Sequence, residues 1–208
     1  MEKTAKILYV CFFVASSLFA QKHDYIWLSG YGSFTTDTIF GGTDINFNTS
    51  PSTITRIDRE PDIGDYYAGI CNSAGELQFY TNGCTVYGAD HYPLLGGNGI
   101  NPGDIHDEWC LNWGYYPGPG NTIILPSIND KIYYLIHKDI FREFFDIEPY
   151  VYTYIKNIYY TKIEMYDVPN SSGHVIEKNV SLLQDTLMGA ALTAVSYTHL
   201  TLPTILLV

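Results

Sequence analysis

Residues 66–82 read YYAGICNSAGELQFYTN, and this stretch decides the fold class. Tyr66–Cys71 and Glu76–Asn82 are short runs rich in aromatic and β-branched residues. Between them lies Asn72-Ser-Ala-Gly75. Asn and Gly both tolerate the positive φ that a tight reversal needs, so the stretch predicts a β-hairpin. A second turn at Asn82-Gly83 leads into Cys84–Tyr87, which extends the hairpin to a three-strand meander.

The same pattern continues on both sides. Upstream, Tyr25–Ser29, Asp44–Asn48 and the weaker Thr53–Asp58 are expected strands. Downstream, Asn121–Pro126 turns at Asn129-Asp130 into Lys131–His137. Asn157–Tyr166 alternates well and turns at Asn170–Gly173 into His174–Leu183. Asp139–Phe145 is expected to form one or two helical turns, because Ile140, Phe141, Phe144 and Phe145 fall on one helical face behind the capping residue Asp139. His91–Pro119 is rich in Gly and Pro and is expected to be a long irregular loop. The fold class is therefore all-β, with antiparallel four-stranded meanders. Four consecutive strands make one propeller blade, so residues 21–194 read as about two blades of an incomplete β-propeller. In the first blade, an N-terminal strand partners the 66–87 meander. Two blades would leave sheet edges open, and the region alone is expected to aggregate.

Composition agrees with strands. The chain of 208 residues holds 19 Tyr, 10 Phe and 18 Gly with few charges, which favours strands and turns. The formal net charge is −11, which repels phosphate backbones and argues against nucleic-acid binding. Lys3 and Lys6 precede an apolar run, Ile7–Phe19, which ends at Ala20 before polar residues. Residues 1–20 thus read as a signal peptide, engaging the export machinery. The run is too short to span a bilayer, and no other transmembrane segment is expected.

Several segments resemble a known family: FGGTDINFN, GICNSAGELQFYTNG, HYPLLGGNGINPGD, NTIILPSINDKIYYLIH and DTLMGAALTAV. Together they are similar to the N-terminal β-propeller-like region of large secreted Bacteroidota proteins of the type IX secretion-substrate kind. The resemblance covers roughly residues 24–194 and implies a secreted or cell-surface location. It implies no catalytic residues. Val195–Thr204, VSYTHLTLPT, resembles instead the in-frame translation of a transposase-type sequencing adapter. Residues 195–208 are therefore expected to be a non-native tail, with the natural sequence ending near Ala194.

The residues that could carry chemistry are few. Tyr92, Trp109, Trp113, Tyr115 and Tyr116 crowd the 91–119 stretch, where large rigid rings can stack on sugars or fill a partner's pocket. They can equally form a small core beneath a loop. His106, Asp107 and Glu108 are weak metal candidates, because no established ligand spacing is present. Asp58, Glu60, Asp62 and Asp65 form an acidic group that could serve a glycosidase only if two carboxyls converged in a cleft. Among the cysteines after residue 20, Cys71 and Cys84 fall on strands two apart. Such strands are about 9.5 Å apart, beyond the roughly 7 Å Cα limit for a disulfide. Cys84 and Cys110 are free of that restriction and can pair, alongside the alternative of three free thiols. No cofactor fingerprint occurs. The leading expectation is a non-catalytic extracellular binding or display region with a glycan or protein partner. A glycan-active propeller hydrolase and an architectural spacer are the alternatives.

Overall fold

A computed structural model describes residues 22–32, 41–64, 66–118, 120, 122–129, 131–144, 151–166, 172–187 and 192. The expected signal peptide, the adapter-like tail and Asp65 lie outside these residues. The described chain is all-β, with one helix among the described residues.

The hairpin that opened the reading is present. Strand β4 (Ala68–Cys71) pairs antiparallel with β5 (Leu77–Thr81). Asn72 builds the reversal: its Oδ1 accepts from the backbone N–H of Ala74 and Glu76, and its carbonyl accepts from Gly75 at 3.0 Å. Gly75 and Gly83 have φ of 88° and 81°, a region that glycine enters without steric cost. β6 (Thr85–Gly88) follows, and β7 (Pro93–Asn98) completes a four-stranded meander.

The second meander comprises β8 (Thr122–Pro126), β9 (Ile132–Lys138), β11 (Val151–Met165) and β12 (Gly173–Leu187). β10 (Phe141–Phe144) pairs antiparallel with the start of β11. The expected helical turns at 139–145 are thus replaced by a strand. Apolar residues at Ile140, Phe141 and Phe144 suit a helical face, but the strand partner at Tyr152–Tyr154 supplies ladder hydrogen bonds that a lone turn lacks.

The two meanders do not stand apart. β7 meets β12 in a short parallel pairing at His174 and Leu95, giving the sheet order β4-β5-β6-β7-β12-β11-β9-β8. β4 in turn approaches β8, so the sheet is nearly closed and barrel-like. The two ends of the large sheet thus lie near each other, while among the described residues no ladder joins β4 to β8. A separate three-stranded antiparallel sheet holds β1 (Ile26–Gly30), β2 (Gly42–Asn46) and β3 (Thr53–Ile57). The N-terminal strand therefore pairs with β2 rather than joining the 66–87 meander.

Alternation along β5 divides the core. Phe79 faces the barrel interior with Ile70, Val86, Leu94 and Ile100, against Tyr133, Leu135, Ile163 and Met165 of the other meander. Tyr80 faces the opposite way and packs with Leu28 and Ile63 beneath the small sheet. Burying such side chains on both faces contributes about 1.5–3 kcal/mol each.

The 91–119 stretch is not an irregular loop. Besides β7 it contains helix α1 (Asp104–Asn112). Gly103, at φ 134°, sets the entry, and Asp104 and Asp107 lie in the first turn, where acidic groups favour the helix dipole. Among the described residues no helix is long and apolar enough to cross a membrane.

Candidate functional site

Helix α1 carries only one fully buried side chain, Ile105. Beneath it, Tyr66, Cys84 and Tyr116 form a small core that Trp109, Cys110 and Ile140 partly cover. Cys84 and Cys110 are joined in a disulfide with a Cα separation of 5.7 Å. The helix is therefore tied covalently to the start of β6, and the rings it bears are held against the sheet. Cys71 is a buried free thiol, which burial pushes up in pKa.

Three of the five aromatic candidates gather at the end of α1. The ring centroids of Trp109 and Trp113 are 6.4 Å apart, and those of Trp109 and Tyr115 are 6.0 Å apart in an edge-on arrangement. Trp113 is 59% exposed. Gly114 follows it at φ 74°, and the Asp62 carboxylate lies 3.5 Å from the position a Cβ there would take. Asp62 also accepts a hydrogen bond from the backbone of Gly32.

The remaining two candidates fall elsewhere. Tyr92 is 66% exposed just before β7 and has no ring contact with the cluster. Tyr116 is not a contact residue and takes the other of the two expected roles, a member of a small core. It is 1% exposed, packs edge-on to Tyr66 at 5.3 Å, and its hydroxyl accepts from the Ile140 N–H at 2.8 Å. It is a core residue and presents no contact surface, because the chain after α1 folds back over β6 and its N–H donates to the Asn82 carbonyl.

The weak metal candidates do not converge. His106 lies 3.2 Å from Asp107, while Glu108 pairs with Arg142 of β10 at 2.7 Å. Consecutive helical residues point about 100° apart, so the three cannot face one ion. Among the described residues no group of three or more His, Cys, Asp or Glu could hold a metal. The Arg142–Glu108 pair closes one side of a cleft of about 140 Å³ between the first turns of α1 and Ile140–Arg142. In the acidic group, Asp58 and Glu60 are exposed.

Two buried polar groups were not legible in the sequence. One lies at the end of the barrel interior. Asn101 Nδ2 donates to the Tyr66 hydroxyl and the Gly83 carbonyl, and Asn101 Oδ1 lies 2.6 Å from His137 Nδ1. His137 Nε2 lies 2.9 Å from Thr161 Oγ1, which accepts from the Asn179 N–H. Burial lowers the His137 pKa to about 3, keeping the ring neutral. The other lies under the small sheet, where Arg59 donates to the Ser29 and Gly30 carbonyls. Asp44, Tyr67, Tyr80 and His91 surround it. Burial raises the Asp44 carboxyl despite the nearby guanidinium, and burial lowers His91, whose Nδ1 is 3.1 Å from the Tyr80 hydroxyl. Periodicity identifies these residues only as members of strands or turns; their meeting depends on tertiary packing.

No protein-family model, curated protein or solved structure matches the chain.

Proposed function

We propose that this region is a non-catalytic extracellular binding or display module whose contact surface is the cluster of Trp113, Trp109 and Tyr115 at the end of α1. The observation that carries the reading is Trp113. A spacer would bury its tryptophans in a local core, yet this ring stays 59% exposed beside two others at the end of a disulfide-held helix. Rigid rings offer contact area at little entropic cost. A carbohydrate suits them best: sugar C–H faces stack on indole, and the neighbouring Asp62 carboxylate can accept from sugar hydroxyls. A cell-surface protein is the second class of partner.

In this reading the two meanders are blade-like units of a β-propeller-type domain, and the parent is a secreted or cell-surface protein of the Bacteroidota type IX kind. The antiparallel meanders and the resemblance support it. Binding to a panel of immobilised neutral polysaccharides tests the site. Retention that Trp113→Ala abolishes is expected. Retention that survives both Trp113→Ala and Tyr115→Ala would place the site elsewhere.

A further inference from the structure

A buried amide sets a carboxylate beside the aromatic cluster at the end of α1. Asn82 is 0% exposed. Its Nδ2 donates to the Asp62 carbonyl at 3.0 Å and to the Gly114 carbonyl at 2.8 Å, while its Oδ1 accepts from the Cys84 and Thr85 N–H groups. One side chain thus ties the chain at Asp62 to the link between Trp113 and Tyr115, and a satisfied buried network of this kind is rigid. Tyr115 closes on the same segment: a Cβ on Gly64 would come within 2.1 Å of Tyr115 Cδ2.

The Asp62 carboxylate is committed on one oxygen only among these contacts. Its Oδ1 takes the Gly32 N–H, and its Oδ2 lies 3.5 Å from the position of a Cβ on Gly114. Among the described residues Asp62 forms no ion pair. Arg59 is turned to the Ser29 and Gly30 carbonyls, and Asp62 contributes least among the neighbours that act on it. The exposed carboxylates of α1 are engaged elsewhere, Asp107 with His106 and Glu108 with Arg142. The whole chain carries a formal charge of −11. A site of this sign repels uronic acids and sulfated sugars and attracts cations.

We propose that the cluster takes an amino sugar, whose C–H face stacks on Trp113 and whose ammonium is received by Asp62, the specificity-determining residue of the site. The proposal rests on the carbohydrate reading of Trp113 and names its ligand class. A neutral sugar offers Asp62 only hydroxyl donors. An ammonium forms a charge-assisted bond, roughly twice as strong, and gains from the indole quadrupole as well.

Isothermal titration with the glucosamine trimer and with its N-acetylated counterpart tests this, because acetylation removes the charge and leaves the ring face. The amine form is expected to bind at least about tenfold tighter. Asp62→Asn keeps an acceptor for Gly32 and should bring the two within about threefold. Asp185→Asn, which removes the same charge from an exposed position on β12, should leave the preference intact. Far-UV circular dichroism checks folding, and the preference of the native chain decides alone if Asp62→Asn does not fold. Equal or tighter binding of the acetylated trimer would overturn the proposal, as would the same loss of preference in Asp185→Asn. If Trp113→Ala abolishes retention on neutral polysaccharides but neither trimer binds, the amino-sugar assignment alone falls. If Trp113→Ala changes no retention, the carbohydrate reading falls with it.

Discussion

His137 Nδ1 lies 2.6 Å from the side-chain oxygen of Asn101, at 0% exposure for both residues. The pairing fixes the tautomer. Asn101 Nδ2 is already donating to Tyr66 and Gly83, so its oxygen accepts and His137 Nδ1 carries the proton. Nε2 is then left to accept from Thr161. A charged ring would have to donate from both nitrogens in a dry site.

That arrangement predicts a pH dependence. Burial depresses the folded-state pKa of His137 to about 3 from 6.5. Between those values the unfolded chain binds a proton that the folded chain refuses. The stability from a neutral His137 is thus full above pH 6.5 and lost as pH falls toward 3, at up to about 1.4 kcal/mol per pH unit. Urea unfolding at a series of pH values should show this slope, and His137→Gln should flatten it relative to the native chain.

The Cys84–Cys110 bridge closes a separation of 26 residues, and chain-entropy arguments assign such a loop about 3–4 kcal/mol. Because α1 buries only Ile105 fully, little else holds it. Reduction by a dithiol, or Cys84→Ser with Cys110→Ser, should lower the denaturation midpoint. Amide exchange should accelerate first across Asp104–Asn112. Unchanged exchange there would show that packing alone seats the helix.

Two neighbouring aromatics should separate binding from stability. Trp113→Ala removes an exposed ring and should leave the midpoint within about 0.5 kcal/mol, while abolishing carbohydrate retention. Tyr116→Ala removes a buried ring and should cost roughly 3 kcal/mol or more. Tyr116→Phe isolates the hydroxyl that accepts from Ile140; it should cost about 0.5–1.5 kcal/mol, since a half-buried N–H loses its partner.

Gly83 has no room for a side chain. Its φ is +81°, and a Cβ would sit 2.5 Å from both Tyr116 Cβ and Tyr66 Cδ1. Gly83→Ala should therefore destabilise by about 2 kcal/mol or more. Gly103→Ala is the useful contrast: nothing lies within 4 Å, but its φ of +134° with ψ of −177° belongs essentially to glycine. Thermal melts should show a backbone cost without steric overlap at Gly103 and both at Gly83.

The sequence by itself determined the strands and turns whose causes are local. Asn72 and Gly75 specify the β4–β5 reversal within a few residues, and alternation along Asn157–Tyr166 marks part of β11 as a strand. It favoured helical turns at 139–145, where Phe141–Phe144 form a strand, because a short apolar run satisfies both periods until Tyr152–Tyr154 arrives as a partner. It missed α1, since one buried residue in nine gives no apolar stripe. The tertiary structure alone decided the parallel meeting of β7 with β12, which joins two meanders into one nearly closed sheet. It also decided the split among the aromatics: Trp113 and Tyr116 are similar in kind and three residues apart, yet one faces solvent and the other the core. Burial depends on what distant chain segments cover, and residue type does not encode that.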